Sequence, residues 1–157
     1  MKSKEEKRML DIPAESNTYT LPFGAPVYYT ARAILAHEDE SLIEKHMEQL
    51  NQLADEGYCI AVDFDGTICE NKFPRIGKPK KDILGALQFL QALGIETILW
   101  TCREGKLLEE AMEWCEQHGL RFTAVNDNTP KRKELYGNNP RKVGADEYWD
   151  DKAFEVY

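Results

Sequence analysis

Apolar positions along the chain switch repeatedly between two spacings. Over residues 39–56, Leu42, Ile43, Met47, Leu50, Leu53 and Ala54 recur every three or four residues with acids and lysines between them, which predicts an amphipathic helix. Asp39 or Ser41 can cap its start, and Gly57 stands where a terminating glycine belongs. The chain then enters 58–64, a short apolar run with β-branched residues that predicts a buried strand. The alternation continues. Ile83, Leu84, Leu87, Leu90 and Leu93 predict a helix over 82–93, ended by Gly94 and followed by a strand over 95–100. Leu107, Leu108, Ala111, Trp114 and Cys115 predict a helix over 105–117, ended by Gly119 and followed by a strand over 121–125. A last short strand is expected over 145–149. The proline-bearing polar stretches 69–79 and around Pro130, Gly137, Asn138 and Pro140 are expected as loops.

Strands that alternate with helices predict a parallel α/β sheet with right-handed crossovers. Residues 1–16 are polar and charged and predict a surface tail or short helix. Residues 17–31, with Tyr19, Pro22, Phe23, Gly24, Pro26, Tyr28 and Tyr29, predict extended, turning backbone. Wrapping of the sheet edge is preferred there over an oligomer contact or a substrate rim. The division that follows is an N-terminal extension over 1–35 and one domain over 36–157.

Polar residues break the apolar runs at one kind of place. Asp63 and Asp65 end the first strand, Thr101 the second, and Asp150 and Asp151 the last. An unpaired buried carboxylate costs several kcal/mol on the order of, so acids at a strand end mark a site. Parallel strands present all their C-terminal ends on one edge, where open α/β sheets bind ligands. His37, His46 and His118 fall on predicted helices with no convergent partner and are expected to face solvent. The segment after Asp63 lacks the further oxygen ligands and distal glutamate of an EF-hand.

Composition narrows the class. The chain has 157 residues, 42% hydrophobic and 31% charged, as an ordinary globular domain does. A net charge of −8 disfavours a nucleic-acid coat, and the local cations Arg75, Lys78, Lys80 and Lys81 read as a solvated face. Cys59, Cys69, Cys102 and Cys115 form no CxxC pair and no zinc spacing, which suits core thiols in a reducing compartment. No apolar run reaches the roughly 18 residues of a membrane span, and no signal peptide is visible. A cytoplasmic location without membrane partners is expected.

Asp63-Phe64-Asp65-Gly66-Thr67 resembles the first motif of the haloacid dehalogenase (HAD) superfamily of phosphotransferases. Thr101 after an apolar strand is similar to its second motif, Lys142 to its third-motif lysine, and Asp150-Asp151 to its acidic fourth. The resemblance covers about residues 58–154 and implies a three-layer Rossmann-like parallel sheet. No insertion between Thr67 and Asp82 or between Thr101 and Arg121 is long enough for a cap domain, as in the small capless members.

The implied activity is Mg²⁺-dependent hydrolysis of a phosphate monoester. Asp63 is the implied nucleophile, forming an aspartyl-phosphate. Asp65 is the implied general acid and base, and its presence separates phosphatases from the dehalogenases and phosphonatases of the superfamily. Gly66 lets the loop turn closely and Thr67 braces it. Asp63, the main-chain carbonyl of Asp65 and Asp150 would hold the metal, with Asp151 on a metal-bound water or as the ligand instead. Thr101 and Lys142 would bind phosphoryl oxygens; Lys131 is the alternative lysine. Arg103 is a second phosphate contact or a surface arginine, and Cys102 is the thiol nearest the site. Asn126 and Asp127 touch substrate or cap their loop. The expected substrate is a small phosphorylated molecule, with a nucleic-acid end disfavoured by the acidic charge. The open site leaves room for closure by a homo-oligomer partner. Two alternatives stand beside hydrolysis of a small phosphate ester: a phosphometabolite-binding regulatory module, and a nucleotide or polynucleotide end phosphatase.

Overall fold

The computed structural model describes residues 25–153. They form helices α1 (Pro26–Leu35), α2 (Glu40–Asp55), α3 (Lys81–Ala92), α4 (Gly105–Gln117) and α5 (Pro130–Tyr136). The strands are β1 (Cys59–Val62), β2 (Cys69–Lys72), β3 (Arg75–Pro79), β4 (Glu96–Leu99), β5 (Ala124–Val125) and β6 (Glu147–Trp149). Strands β5-β4-β1-β6, in that order, make a sheet in which every pair is parallel. The protein is therefore α/β with a Rossmann-like parallel sheet. Among the described residues no helix is long and apolar enough to cross a membrane.

The central strand β1 is buried at all four positions, as a parallel strand covered on both faces must be. On one face Ile60 and Val62 pack with Tyr28 of α1, Leu87 and Leu90 of α3, and Ala111 and Cys115 of α4. On the other, Cys59 and Ala61 form a smaller cluster with Ile98 and Val143, to which Tyr148 adds its ring. The segment between β5 and β6 thus covers the second face. From β1 the chain moves outward through β4 to β5, then returns to lay β6 on the opposite side of β1. That reversal creates a switch point at the C-terminal ends of β1 and β6.

Several elements differ from the sequence-based expectation. The backbone expected to be extended through residue 31 is helical from Pro26 on, while 1–24 lie outside the described residues. Pro26 occupies the first helical turn, where its missing N–H costs nothing. Val27, Tyr28, Tyr29, Ala31 and Ile34 are buried in the same core as β1. A helix buried nearly all round shows no polar stripe, so its period is hidden. Residues 69–79 are an antiparallel hairpin, with Lys72 opposite Arg75 and Asn71 opposite Ile76, joined through a cis Phe73-Pro74 bond. The stretch after Asn128 contains α5, whose Thr129 side chain accepts from the Arg132 N–H at 3.3 Å and whose C-terminal Gly137 has φ 72°. His46 is buried rather than solvent-facing, because it shares the inward side of α2 with Leu50 four residues on.

One buried carboxylate ties the two ends of the fold together. Glu147 accepts the Val27 N–H at 3.3 and 3.2 Å, the Tyr58 hydroxyl at 2.6 Å and the Trp149 indole N–H at 3.1 Å. It sits at the start of α1, where a helix favours negative charge. Burial nevertheless pushes its pKa up to about 7.

Candidate active site

The sheet delivers its acids to one edge by keeping strand pairing beyond the regular strands. Asp63 N–H donates to the Trp149 carbonyl at 2.8 Å, and Trp100 N–H to the Val62 carbonyl at 2.9 Å. The residues that follow β1, β4 and β6 are thereby held level. After Asp63 the chain folds back, with the N–H groups of Thr67 and Ile68 both donating to the Phe64 carbonyl at 3.2 and 3.1 Å. Gly66 has φ +91°, and a Cβ there would lie 2.5 Å from Asp151 Oδ2. No other residue allows both that backbone and that approach.

The Thr67 hydroxyl lies 3.1 Å from Asp63 Oδ2 and accepts the Asp151 N–H at 3.0 Å, with Asp151 Oδ1 at 3.3 Å. It is buried and pins β1's loop to the residues after β6. Asp63, Asp150 and Asp151 each offer a carboxylate oxygen within 4.8 Å of the others. Burial first, and then the Asp150 charge, push the Asp63 pKa up to about 7. Among the described residues no lysine, arginine or histidine forms an ion pair with any of the three. Three hard oxygen donors crowded together without a protein cation suit a divalent cation such as Mg²⁺.

Asp65 is turned elsewhere. Its two oxygens accept from Arg103 Nε and Nη2, both at 2.8 Å, which leaves only its main-chain carbonyl for a metal. Arg103 is neither a surface arginine nor open to a phosphate. Its side chain is 0% exposed, Nη2 also donates to the Arg75 carbonyl at 3.1 Å, and Nη1 lies 3.4 Å from the Leu107 carbonyl. The guanidinium carbon is 5.2 Å from the ring centroids of both Phe64 and Phe73. The hydrogen bond with Asp65 holds its pKa above the usual arginine value.

Thr101 N–H donates to Asn126 Oδ1 at 2.8 Å, and its hydroxyl accepts the Arg103 N–H at 3.1 Å. The hydroxyl proton stays free to donate. Thr101 does not cap α4, whose N-cap is Glu104. Asn126 acts as the loop brace, with φ 50°, and Asp127 pairs with Lys133 at 2.7 Å.

A cavity of about 370 Å³ opens between these groups, lined by Asp63, Asp65, Asn71, Phe73, Thr101, Cys102, Arg103, Asp150 and Lys152. Lys142 is not among its walls. The neighbouring Val143 is pinned to the sheet face, and Lys142 Nζ lies 5.6 Å from the Tyr148 ring centroid. Lys131 lies beside Gly57, before the start of β1. The lysine lining the cavity is Lys152, and Lys80 donates through Nζ to the Gly66 carbonyl. Lys152 was not singled out, because it follows the acidic pair; Lys80 was read only as part of a solvated basic face, because the hairpin at whose foot it sits was unrecognised. Asn71 and Phe73 were missed for the same reason. A larger cavity of about 540 Å³, bordered by Leu99, Met112, Cys115, Leu120 and Phe122, carries no cluster of acids.

This arrangement defines a parallel α/β protein with a carboxylate site at the sheet's switch point. The chain matches the solved structure of a conserved protein encoded by a locus of Bacteroides thetaiotaomicron, with 46% identity, 60% of this chain and 76% of that chain covered, and a TM-score of 0.54. The two chains belong to one family. No protein-family model matches the chain, and no curated protein does.

Proposed function

We propose that the protein is a Mg²⁺-dependent phosphate monoester hydrolase of the HAD type, with a capless site and an aspartyl-phosphate intermediate. The observation that carries this reading is the cluster of Asp63, Asp150 and Asp151 oxygens within 4.8 Å of one another, with no ion pair to any of the three among the described residues. Asp63 and Asp150, with Asp151 beside them, would hold the metal, which would supply charge neutralisation for carboxylates and phosphoryl oxygens alike.

An Asp63 carboxylate oxygen attacks the phosphorus in line, and the bond from phosphorus to the leaving-group oxygen breaks. Asp65 gives that oxygen a proton, then takes one from the water that attacks the phosphorus and releases phosphate from Asp63. The Arg103 pair suits the second half, because it orients an ionised Asp65 as base. The first half requires Asp65 to enter as the carboxylic acid, with one of the two bonds from Arg103 open, and the proton taken from water in the second half restores that form. Thr101 donates its free hydroxyl proton to a phosphoryl oxygen, and Lys152 adds positive charge to the same cavity.

Turnover of p-nitrophenyl phosphate with Mg²⁺ tests the proposal. Asp63→Asn is expected to abolish turnover at unchanged far-UV circular dichroism, and EDTA to silence the parent protein. Undiminished turnover in either case refutes it. One observation favours a second reading, a phosphometabolite-binding module: both Asp65 oxygens are engaged by Arg103. Thermal stabilisation by phosphate compounds without any turnover would decide for that reading.

A further inference from the structure

The hairpin β2–β3 and its turn give Asn71 and Phe73 to the cavity wall, and these carry chemistry that phosphate binding does not use. Phe73 lines the cavity yet is 56% exposed. Its ring is not loose. One side rests on the Arg103 guanidinium, which rests in turn on Phe64, at 5.2 Å to each ring centroid. Arg103 is itself fixed by Asp65 and by the carbonyl of Arg75, across the hairpin from Lys72. A large apolar ring is thus held in one orientation at the mouth of a polar cavity, the preorganisation that makes a binding surface effective.

Asn71 Oδ1 accepts the Phe73 N–H at 3.2 Å, which fixes the turn. The Asn71 amide NH₂ makes no bond among the described residues and belongs to a cavity-lining side chain. A cavity of about 370 Å³ is at the small end of ligand pockets. With the phosphoryl group at the acids, as the hydrolase reading has it, the rest of the cavity carries the leaving group along the Asn71 and Phe73 side chains. The cation behind the ring draws on its π electrons, so the outer face pairs best with an electron-rich plane. Along the hairpin and its exit, residues 69–81 carry five cations, Lys72, Arg75, Lys78, Lys80 and Lys81, against the single acid Glu70 in a chain of net charge −8.

We propose that this hairpin reads the leaving group, and that the substrate is a nucleoside phosphomonoester whose base stacks on Phe73 while Asn71 hydrogen-bonds the nucleoside. The inference rests on the hydrolase reading above. Both a free mononucleotide and the terminal phosphate of an oligonucleotide present this chemistry.

The test compares kcat/KM for AMP, ribose 5-phosphate and a 5′-phosphorylated oligonucleotide in the parent protein, Phe73→Ala, Phe73→Leu and Phe73→Trp. AMP is expected to exceed ribose 5-phosphate by roughly 5- to 150-fold, the span that base–aromatic stacking gives on alanine substitution. The ratio should fall toward unity in Phe73→Ala, mainly through KM, and in Phe73→Leu, which keeps apolar bulk without a plane. It should survive in Phe73→Trp. The better of AMP and the oligonucleotide identifies the natural source. Equal kcat/KM for AMP and ribose 5-phosphate in the parent, or a ratio untouched in Phe73→Ala and Phe73→Leu, overturns the inference. If no phosphomonoester is hydrolysed, the hydrolase reading fails, and titration calorimetry with the same two small ligands still decides this one. Tighter AMP binding that disappears in Phe73→Ala supports stacking; equal affinities or no binding of either overturns it.

Discussion

Replacing Arg103 by methionine removes a fully buried guanidinium and strands the carboxylate it holds. The pair is bidentate, with both bonds at 2.8 Å, and the side chains of Arg103 and Asp65 are 0% and 15% exposed. Removing one partner of a buried ion pair costs about 3–5 kcal/mol, largely because the survivor is left charged and uncompensated. Asp65 opens into the cavity, so water can reach it, which places Arg103→Met near the lower end, about 3 kcal/mol. Asp65→Asn leaves a buried cation facing an amide that can accept only one good bond, a loss of about 2–3 kcal/mol. Removing both partners eliminates the uncompensated charge, so the double variant should lose less than the sum of the singles by about 2–3 kcal/mol. Urea unfolding of the four proteins in EDTA, analysed by linear extrapolation, measures this coupling. Single losses that add to within about 0.5 kcal/mol would show that the two groups do not stabilise one another, and the clamp would be discarded. Arg103→Lys keeps the charge but not the fork, and should fall between the parent and Arg103→Met.

Glu147 predicts a pH dependence of stability. Its folded pKa of about 7 exceeds the ordinary 4.5, so over that interval the native state holds a proton that the unfolded chain has released. The contribution is complete below about 4.5 and is lost as pH rises through about 7, a change of roughly 3 kcal/mol. Melting curves from pH 5 to 8 in EDTA should therefore shift in favour of Glu147→Gln as pH rises; parallel profiles for the two proteins would contradict it. Gly66→Ala imposes a side chain at φ +91° with its Cβ 2.5 Å from Asp151 Oδ2. A stability loss of about 1–3 kcal/mol is expected, with weaker Mg²⁺ binding by calorimetry, and unchanged values for both would refute the close-approach argument.

What the sequence revealed follows from which interactions are local. Helix α4 was legible to its bounds, 105–117, because an apolar stripe that starts at Gly105 and is stopped by Gly119 is written in one short local stretch. The convergence of Asp63, Asp150 and Asp151 was legible because parallel strands share an edge, whatever lies between them. The hairpin was not, since Cys69–Lys72 and Arg75–Pro79 are mostly exposed and lack alternation. Helix α5 buries none of its residues, so only its Thr-Pro start and Gly end announced it, and these read equally as loop residues. The Arg103–Asp65 pair spans 38 positions and depends on how the loop after β4 meets the loop after β1. Periodicity carries no trace of such a meeting. Lys142 shows the converse: its place before a strand suggested the edge, and the burial of Val143 set it over the face.

The position of β6 in the sheet also sets an order of events during synthesis. Thr67 and Asp151 touch in the finished protein but are 84 positions apart, a delay of roughly 4–17 s at ordinary translation rates. Throughout that interval β1 has no partner on its β6 side, the Glu147 anchor for α1 does not exist, and Asp63 lacks the two acids beside it. A nascent chain therefore exposes Asp63 and Asp65 long before the three carboxylates can come together. If the proposed metal site is correct, it forms only in the closing moments of folding, and a chain interrupted before residue 150 lacks two of its three acids.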